Sequence, residues 1–161
     1  MKFKLRPYQE EASKKAVEFF LDEKKNWNAL EVLPTASGKS LILADIAARL
    51  KDKVLVFSPT KEILEQNYKK YCSYGFDNAS IYSASFKSKE ISDVTFATIG
   101  SVKGHPELFT DFKYILIDEV HLVKPESGMY KEFLDKLKSK VIGLTATPFR
   151  LYSYQNYGSI L

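Results

Sequence analysis

Three short runs without a charged residue, Val54–Phe57, Tyr114–Ile117 and Val141–Leu144, set the strongest limit on what this chain can fold into. Each is too short for a buried helix and lacks the polar alternation of a half-exposed strand. Each therefore reads as a strand covered on both faces. The segments between them have a different period. Residues 7–22 place Ala12, Ala16, Phe19 and Phe20 at helical spacing behind Pro7, whose missing N–H costs little in a first turn. Further helices are predicted from about Lys39 to Leu50, over 61–74, and around 129–138. In the 61–74 helix Ile63, Leu64, Asn67, Tyr68 and Tyr71 share one face, and Thr60 is the N-cap. Residues 28–33 and short stretches near 79–82 and 93–97 read as more strands. Ser83–Ser92, Gly104–Thr110 and Lys124–Gly128 read as loops, and Leu151–Leu161 fits neither period. Such alternation predicts an α/β fold with a mostly parallel central sheet and helices on both faces.

A chain of 161 residues with 45% apolar content supports one domain with a core, not two ordinary ones. No apolar run approaches the roughly 18 residues of a membrane span, and Met1-Lys2-Phe3-Lys4 is not followed by a signal-type apolar stretch. The single cysteine, Cys72, forms no internal disulfide and reads as a packed thiol of a reducing cytoplasm. Two histidines and one cysteine assemble no zinc site, and His105 reads as a loop residue. The net charge of +4 is a mild lean toward polyanions. The lysines are scattered (Lys14-Lys15, Lys24-Lys25, Lys69-Lys70, Lys136, Lys138, Lys140) and read mainly as solvated helix faces. Trp27, Tyr152, Tyr154 and Tyr157 are weak candidates for stacking on bases.

Two clusters carry chemistry. Thr35-Ala36-Ser37-Gly38-Lys39-Ser40 follows a predicted strand and opens a predicted helix. In that setting backbone N–H groups and the positive end of a helix wrap phosphates, Lys39 reaches the β- and γ-phosphates of ATP, and Ser40 ligates Mg²⁺. The general pattern wants glycine four residues before Gly38, where Leu33 stands. The second cluster is Asp118-Glu119, which ends the apolar run Tyr114–Ile117. A strand that finishes in two carboxylates can hold Mg²⁺ through Asp118 and activate a water through Glu119. The phosphate loop, Ser58-Pro59-Thr60, Thr98, Asp118-Glu119 and Thr145-Ala146-Thr147 each follow a predicted strand. In an open parallel sheet all five converge on one rim, at the carboxyl ends of the strands.

In these residues the chain resembles the N-terminal RecA-like domain of superfamily-two DExH-box helicases. The likeness runs over about residues 5–150. Leu5-Arg6-Pro7-Tyr8-Gln9 resembles the adenine-recognising motif, Pro34–Ser40 motif I, and Val56–Lys61 motif Ia, with its helix through Gln66. Ala97–Ser101 resembles motif Ib, Asp118-Glu119-Val120-His121 motif II, and Gly143–Pro148 motif III. Their style is nearer to the type III restriction-subunit and DNA-repair branch than to the DEAD-box RNA helicases.

The resemblance implies a RecA-like P-loop NTPase domain over 1–150. Residues 151–161 would be a linker toward a second RecA-like domain, which residues 151–161 do not supply. It implies an ATP- and Mg²⁺-dependent helicase or translocase acting on nucleic acid, with DNA favoured over RNA. Arg6 and Gln9 would contact adenine; Ser58, Pro59, Thr60, Thr98 and Ser101 would contact the backbone of a strand; His121, Thr145 and Thr147 would couple the two sites. Ala36 departs from the family's usual glycine, and tolerating its methyl group requires a negative φ there. An arginine finger from a second domain is worth roughly 10³–10⁵ in rate, so the chain alone is expected to hydrolyse ATP negligibly. The competing reading is a non-catalytic nucleic-acid or protein-binding module that kept the fold. The retention of Lys39, Ser40, Asp118 and Glu119 argues against it.

Overall fold

The computed structural model describes residues 4–34, 38–120 and 128–146. Among the described residues five α-helices, α1 (Pro7–Leu21), α2 (Lys39–Leu50), α3 (Lys61–Cys72), α4 (Ile99–Val102) and α5 (Met129–Asp135), are interleaved with seven strands. These are β1 (Ala29–Val32), β2 (Val54–Phe57), β3 (Ala79–Ser83), β4 (Ser88–Lys89), β5 (Val94–Ala97), β6 (Tyr114–Ile117) and β7 (Lys140–Thr145). They form one sheet in the order β1-β7-β6-β2-β5-β3-β4, in which only the β3–β4 pair is antiparallel.

The apolar runs are divided by the pleat between two cores. Val54, Val56, Val94, Phe96, Leu116, Ile142 and Leu144 join α1, α2 and α3 on one face. Leu55, Phe57, Ala97, Ile115, Ile117 and Val141 meet Val102, Phe109, Phe112, Tyr130 and Phe133 on the other. Burial on both faces is why β2, β5 and β6 show no alternation in sequence. The mostly parallel sheet, with helices on both faces, is the predicted fold.

Three details differ from the pattern-based expectation. The Ser83–Ser92 stretch is not a plain loop. It makes a 3-10 turn over Ala84–Phe86 and then β4, whose Ser88 and Lys89 pair with Ser83 and Tyr82. A two-residue strand leaves no periodicity to read. The Gly104–Thr110 stretch holds a 3-10 helix, Pro106–Phe109, which buries Phe109 completely. Lys140, grouped by sequence with solvated lysines, instead caps a helix. Its Nζ donates to the carbonyls of Phe19 (2.7 Å) and Asp22 (2.8 Å) at the end of α1. A cation there satisfies carbonyls that the helix leaves open and complements its negative end.

Helix α1 is fixed to α2 by a polar bridge. Ser13 donates to Asp45 Oδ2 (2.5 Å), which also accepts from Arg49 Nε (2.6 Å). This bridge, with the Lys140 cap, sets where Gln9 falls.

Glu31 on edge strand β1 carries a fold-linked titration. Burial, only partly offset by Lys15, pushes its carboxyl from 4.5 up to about 7. The folded state therefore holds this proton more tightly than the unfolded chain. The resulting stability is complete below about pH 4.5 and is lost as pH rises through about 7. Glu31→Gln should leave urea-unfolding stability unchanged near pH 4 and raise it by up to about 3 kcal/mol at pH 8.

Candidate active site

The carboxyl ends of the strands form a single rim. Asp118 follows β6, and its N–H donates to Phe57 O at the end of β2 (2.9 Å). Ser58 follows β2 and donates its N–H to Ala97 O of β5 (3.2 Å). Leu33 follows β1 and donates to Thr145 O, the last residue of β7 (2.8 Å). The parallel register alone thus brings together residues more than 100 positions apart in the chain.

At this rim α2 begins with Lys39 and Ser40, behind Gly38. Gly38 has φ +76°, and a Cβ there would overlap the side-chain amide of Gln9. Two independent reasons, left-handed backbone and close approach, therefore require glycine. Gln9 is buried, and its Oε1 accepts the N–H of Arg6 (2.8 Å), bracing the start of α1. Arg6 is exposed. The two residues expected to face adenine are thus hydrogen-bonded to each other beside the start of α2.

Lys39 Nζ lies 3.2 Å from Asp118 Oδ1 and makes an ion pair with Glu119 Oε1. Asp118 is 3% exposed, Lys39 18% and Glu119 23%. Coulombic attraction is only weakly screened in such a place. Although close to Lys39, Asp118 Oδ1 makes no geometrically proper hydrogen bond among the described residues. A buried carboxylate oxygen with unused acceptor capacity, beside the hydroxyl-bearing first turn of α2, suits a hard cation. The set therefore fits Mg²⁺.

Glu119 sits at φ +52°, in the left-handed region that non-glycine residues rarely adopt. The turn is held from below by Val120, which packs onto Gly143 of β7. A Cβ at Gly143 would come within 2.8 Å of Val120 Cγ2. The glycine of the third motif thus seats the second motif.

A cleft of about 510 Å³ opens above these groups, lined by Gly38, Lys39, Ser40, Asp118, Glu119 and Gln66, among others. A larger cavity of about 800 Å³ lies at the opposite ends of the strands, walled by Tyr71, Tyr74, Phe76 and the Asp45–Arg49 pair. It holds none of the convergent groups described above, so the smaller cleft is the one with the geometry for phosphate chemistry.

The proposed strand-contacting residues lie further along the rim. Thr60 caps α3, its Oγ1 accepting the Ile63 N–H (3.2 Å). Pro59 is half-buried. Thr98 Oγ1 is 3.0 Å from Ser101 Oγ, and Ser101 Oγ accepts the Ala84 N–H (3.0 Å). Ser58 differs. It is 1% exposed, and its Oγ faces inward to Asn67. Thr145 is buried at the end of β7. Thr35, Ala36, Ser37, His121 and Thr147 lie outside the described residues, and with them the expected φ of Ala36. Pattern reading missed the roles of Asn67, which bonds Asp118, and of Ser83, whose Oγ is 3.2 Å from Thr98 Oγ1. The only sequence signal for Asn67 was a polar residue on the apolar face of α3.

A parallel sheet with Gly-Lys-Ser opening a helix, and Asp-Glu ending the strand beside it, defines a RecA-like domain of the superfamily-two helicase type. Residues 2–150 match the family described as type III restriction enzyme, res subunit, and the chain belongs to that family. It is 32% identical over 152 residues to the DNA 3'-5' translocase XPB2 of Sulfurisphaera tokodaii, covering 92% of this chain and 32% of that protein. It is 30% identical over 167 residues to the ATP-dependent DNA helicase Hel308 of Methanocaldococcus jannaschii, covering 89% of this chain and 14% of that protein. The chain thus spans a third or less of the length of these two relatives. Its fold matches the SWI2/SNF2 ATPase core of Sulfolobus solfataricus, solved in complex with dsDNA, with a TM-score of 0.75. Identity there is 21%, with 99% of this chain and 35% of that one covered.

Removing Lys39 leaves two carboxylates facing each other, one of them buried. Lys39→Met should lower the stability of the nucleotide-free chain by about 2 kcal/mol in denaturant titration. Adding Asp118→Asn should recover part of that loss.

Proposed function

We propose that this chain is the ATP-binding motor domain of a DNA-dependent ATPase that works as a helicase or translocase. The observation that carries this reading is Lys39 held between Asp118 and Glu119 at the carboxyl edge of a parallel sheet. The named activities of the relatives, a DNA translocase and an ATP-dependent DNA helicase, support it.

Lys39 is the group that a polyphosphate meets first. Its charge is offset by the two carboxylates. A triphosphate offers it a stronger, bidentate anion, and Lys39 swings from the carboxylates to the phosphates. This frees Asp118 and Glu119 for separate tasks. Asp118, with Ser40, would hold Mg²⁺, which neutralises charge on the phosphate oxygens when bound. Glu119 orients a water and takes its proton. Arg6 and Gln9 stand where the adenine edge falls, and Thr35, Ala36 and Ser37 complete the phosphate cradle. Pro59, Thr60, Thr98 and Ser101 form the strand-facing rim, with Ser58 beneath it. His121, Thr145 and Thr147 link the two sites. DNA is favoured as the polymer because both relatives named above act on it. The charge that the transition state still lacks comes from a second RecA-like domain, with residues 151–161 as the link toward it.

The chain should bind a fluorescent ATP analogue in the presence of Mg²⁺, and Lys39→Ala should weaken binding at least about tenfold, the loss of one charge-assisted contact. Hydrolysis by the 161 residues alone should stay far below one turnover per second. Equal binding by Lys39→Ala, or turnover near about one per second, would contradict this assignment.

A further inference from the structure

Asn67 lies two helical turns beyond the Thr60 cap, on the buried face of α3, and is fully buried. Its Nδ2 donates to Asp118 Oδ2 (2.9 Å) and to Ser58 Oγ (3.1 Å). An ionised carboxylate only accepts, which fixes the orientation of the amide. Asn67 Oδ1 is then left buried with no hydrogen-bond partner among the described residues. A leucine of similar volume would avoid that penalty but would take the Asn67 donor away from Asp118 Oδ2 and Ser58 Oγ, both buried, so the amide is accounted for by the two groups it joins. What the amide does is bridge. It joins the loop that starts α3, at the strand-facing rim, to the carboxylate beneath the phosphate cleft.

We propose that Asn67 is a positioning residue that couples polymer binding at the start of α3 to the setting of Asp118, and so to nucleotide affinity. This rests on the motor reading above. It adds a route separate from the Thr145 and Thr147 segment. Helix α3 behaves as a rod over the seven residues from Thr60 to Asn67, about 10 Å of rise. A phosphate backbone that grips the Thr60 end therefore moves or fixes Asn67, and Asn67 sets which way Asp118 Oδ1 faces. Asn67 is tied to the rim both along α3 and through its hydrogen bond to Ser58, so loss of the Asp118 bond breaks the connection and loss of the Ser58 bond weakens it. By linkage the effect is reciprocal: bound nucleotide changes polymer affinity by the same factor.

The test measures the affinity of the chain for a fluorescent ATP analogue with Mg²⁺, with and without a saturating 20-base-pair DNA duplex. Wild type should show a change of at least about fivefold, the lower end of ordinary coupling. Asn67→Leu should show almost none, while its affinity for duplex alone stays within about twofold of wild type. Ser58→Ala, which cuts the other end of the bridge, should also reduce the coupling factor, and it carries the test if Asn67→Leu melts. Full coupling in folded Asn67→Leu, or in Ser58→Ala where that variant carries the test, would overturn the role of Asn67 and leave the motor reading standing. A wild-type chain that binds both ligands without mutual effect would also overturn it. A wild-type chain that binds neither ligand would overturn the motor reading and this inference together.

Discussion

The ammonium of Lys39 lies between two carboxylates that repel one another, at the one edge of the sheet where strand ends converge. Much of the surrounding architecture serves to hold these three groups. Gly38 starts α2 in a backbone geometry that points Lys39 inward, and Gln9 closes in against it because that glycine has no side chain. Gly143 makes room for Val120, so that the turn carrying Asp118 and Glu119 lies flat on β7. Glu119 accepts a left-handed backbone as part of that turn. Such strain costs of order 1 kcal/mol and persists only where surrounding contacts over-determine it. Here the ion pair and the Val120 packing supply those contacts.

The two carboxylates offset the charge of Lys39, whose side chain remains 18% exposed and so open to exchange. Exchange is favourable only for a ligand that offers more negative charge than the two carboxylates and leaves them a cation in return. On the proposed motor reading, a triphosphate with its metal meets both conditions. On that reading the site would select by charge as well as by shape.

Much of this was legible in the sequence, for physical reasons. β2 and β6 are buried on both faces, so their runs are uninterrupted, and each ends in the polar residues that the rim uses. Parallel pairing then places those ends together without further information. The short β4 and the 3-10 helix around Phe109 were not legible, because two to four residues establish no period. Lys140 was misread because a capping lysine and a solvated lysine look alike until the end of α1 is placed beside β7. Asn67 was visible only as a polar residue on an apolar face. Its meaning depends on Ser58 and Asp118, which lie 9 and 51 positions away. Ser58 was grouped with the strand-contacting residues, yet its hydroxyl points inward, making it a support of that surface.

On the proposed motor reading, Lys39 leaves Asp118 and Glu119 for the phosphates when nucleotide binds. The most direct measurement is a crystal structure of the chain with Mg²⁺ and a non-hydrolysable ATP analogue. Lys39 Nζ should then lie within hydrogen-bond distance of the β- or γ-phosphate, with its ion pair to Glu119 broken. A nucleotide bound while Lys39 remains paired with both carboxylates would contradict it.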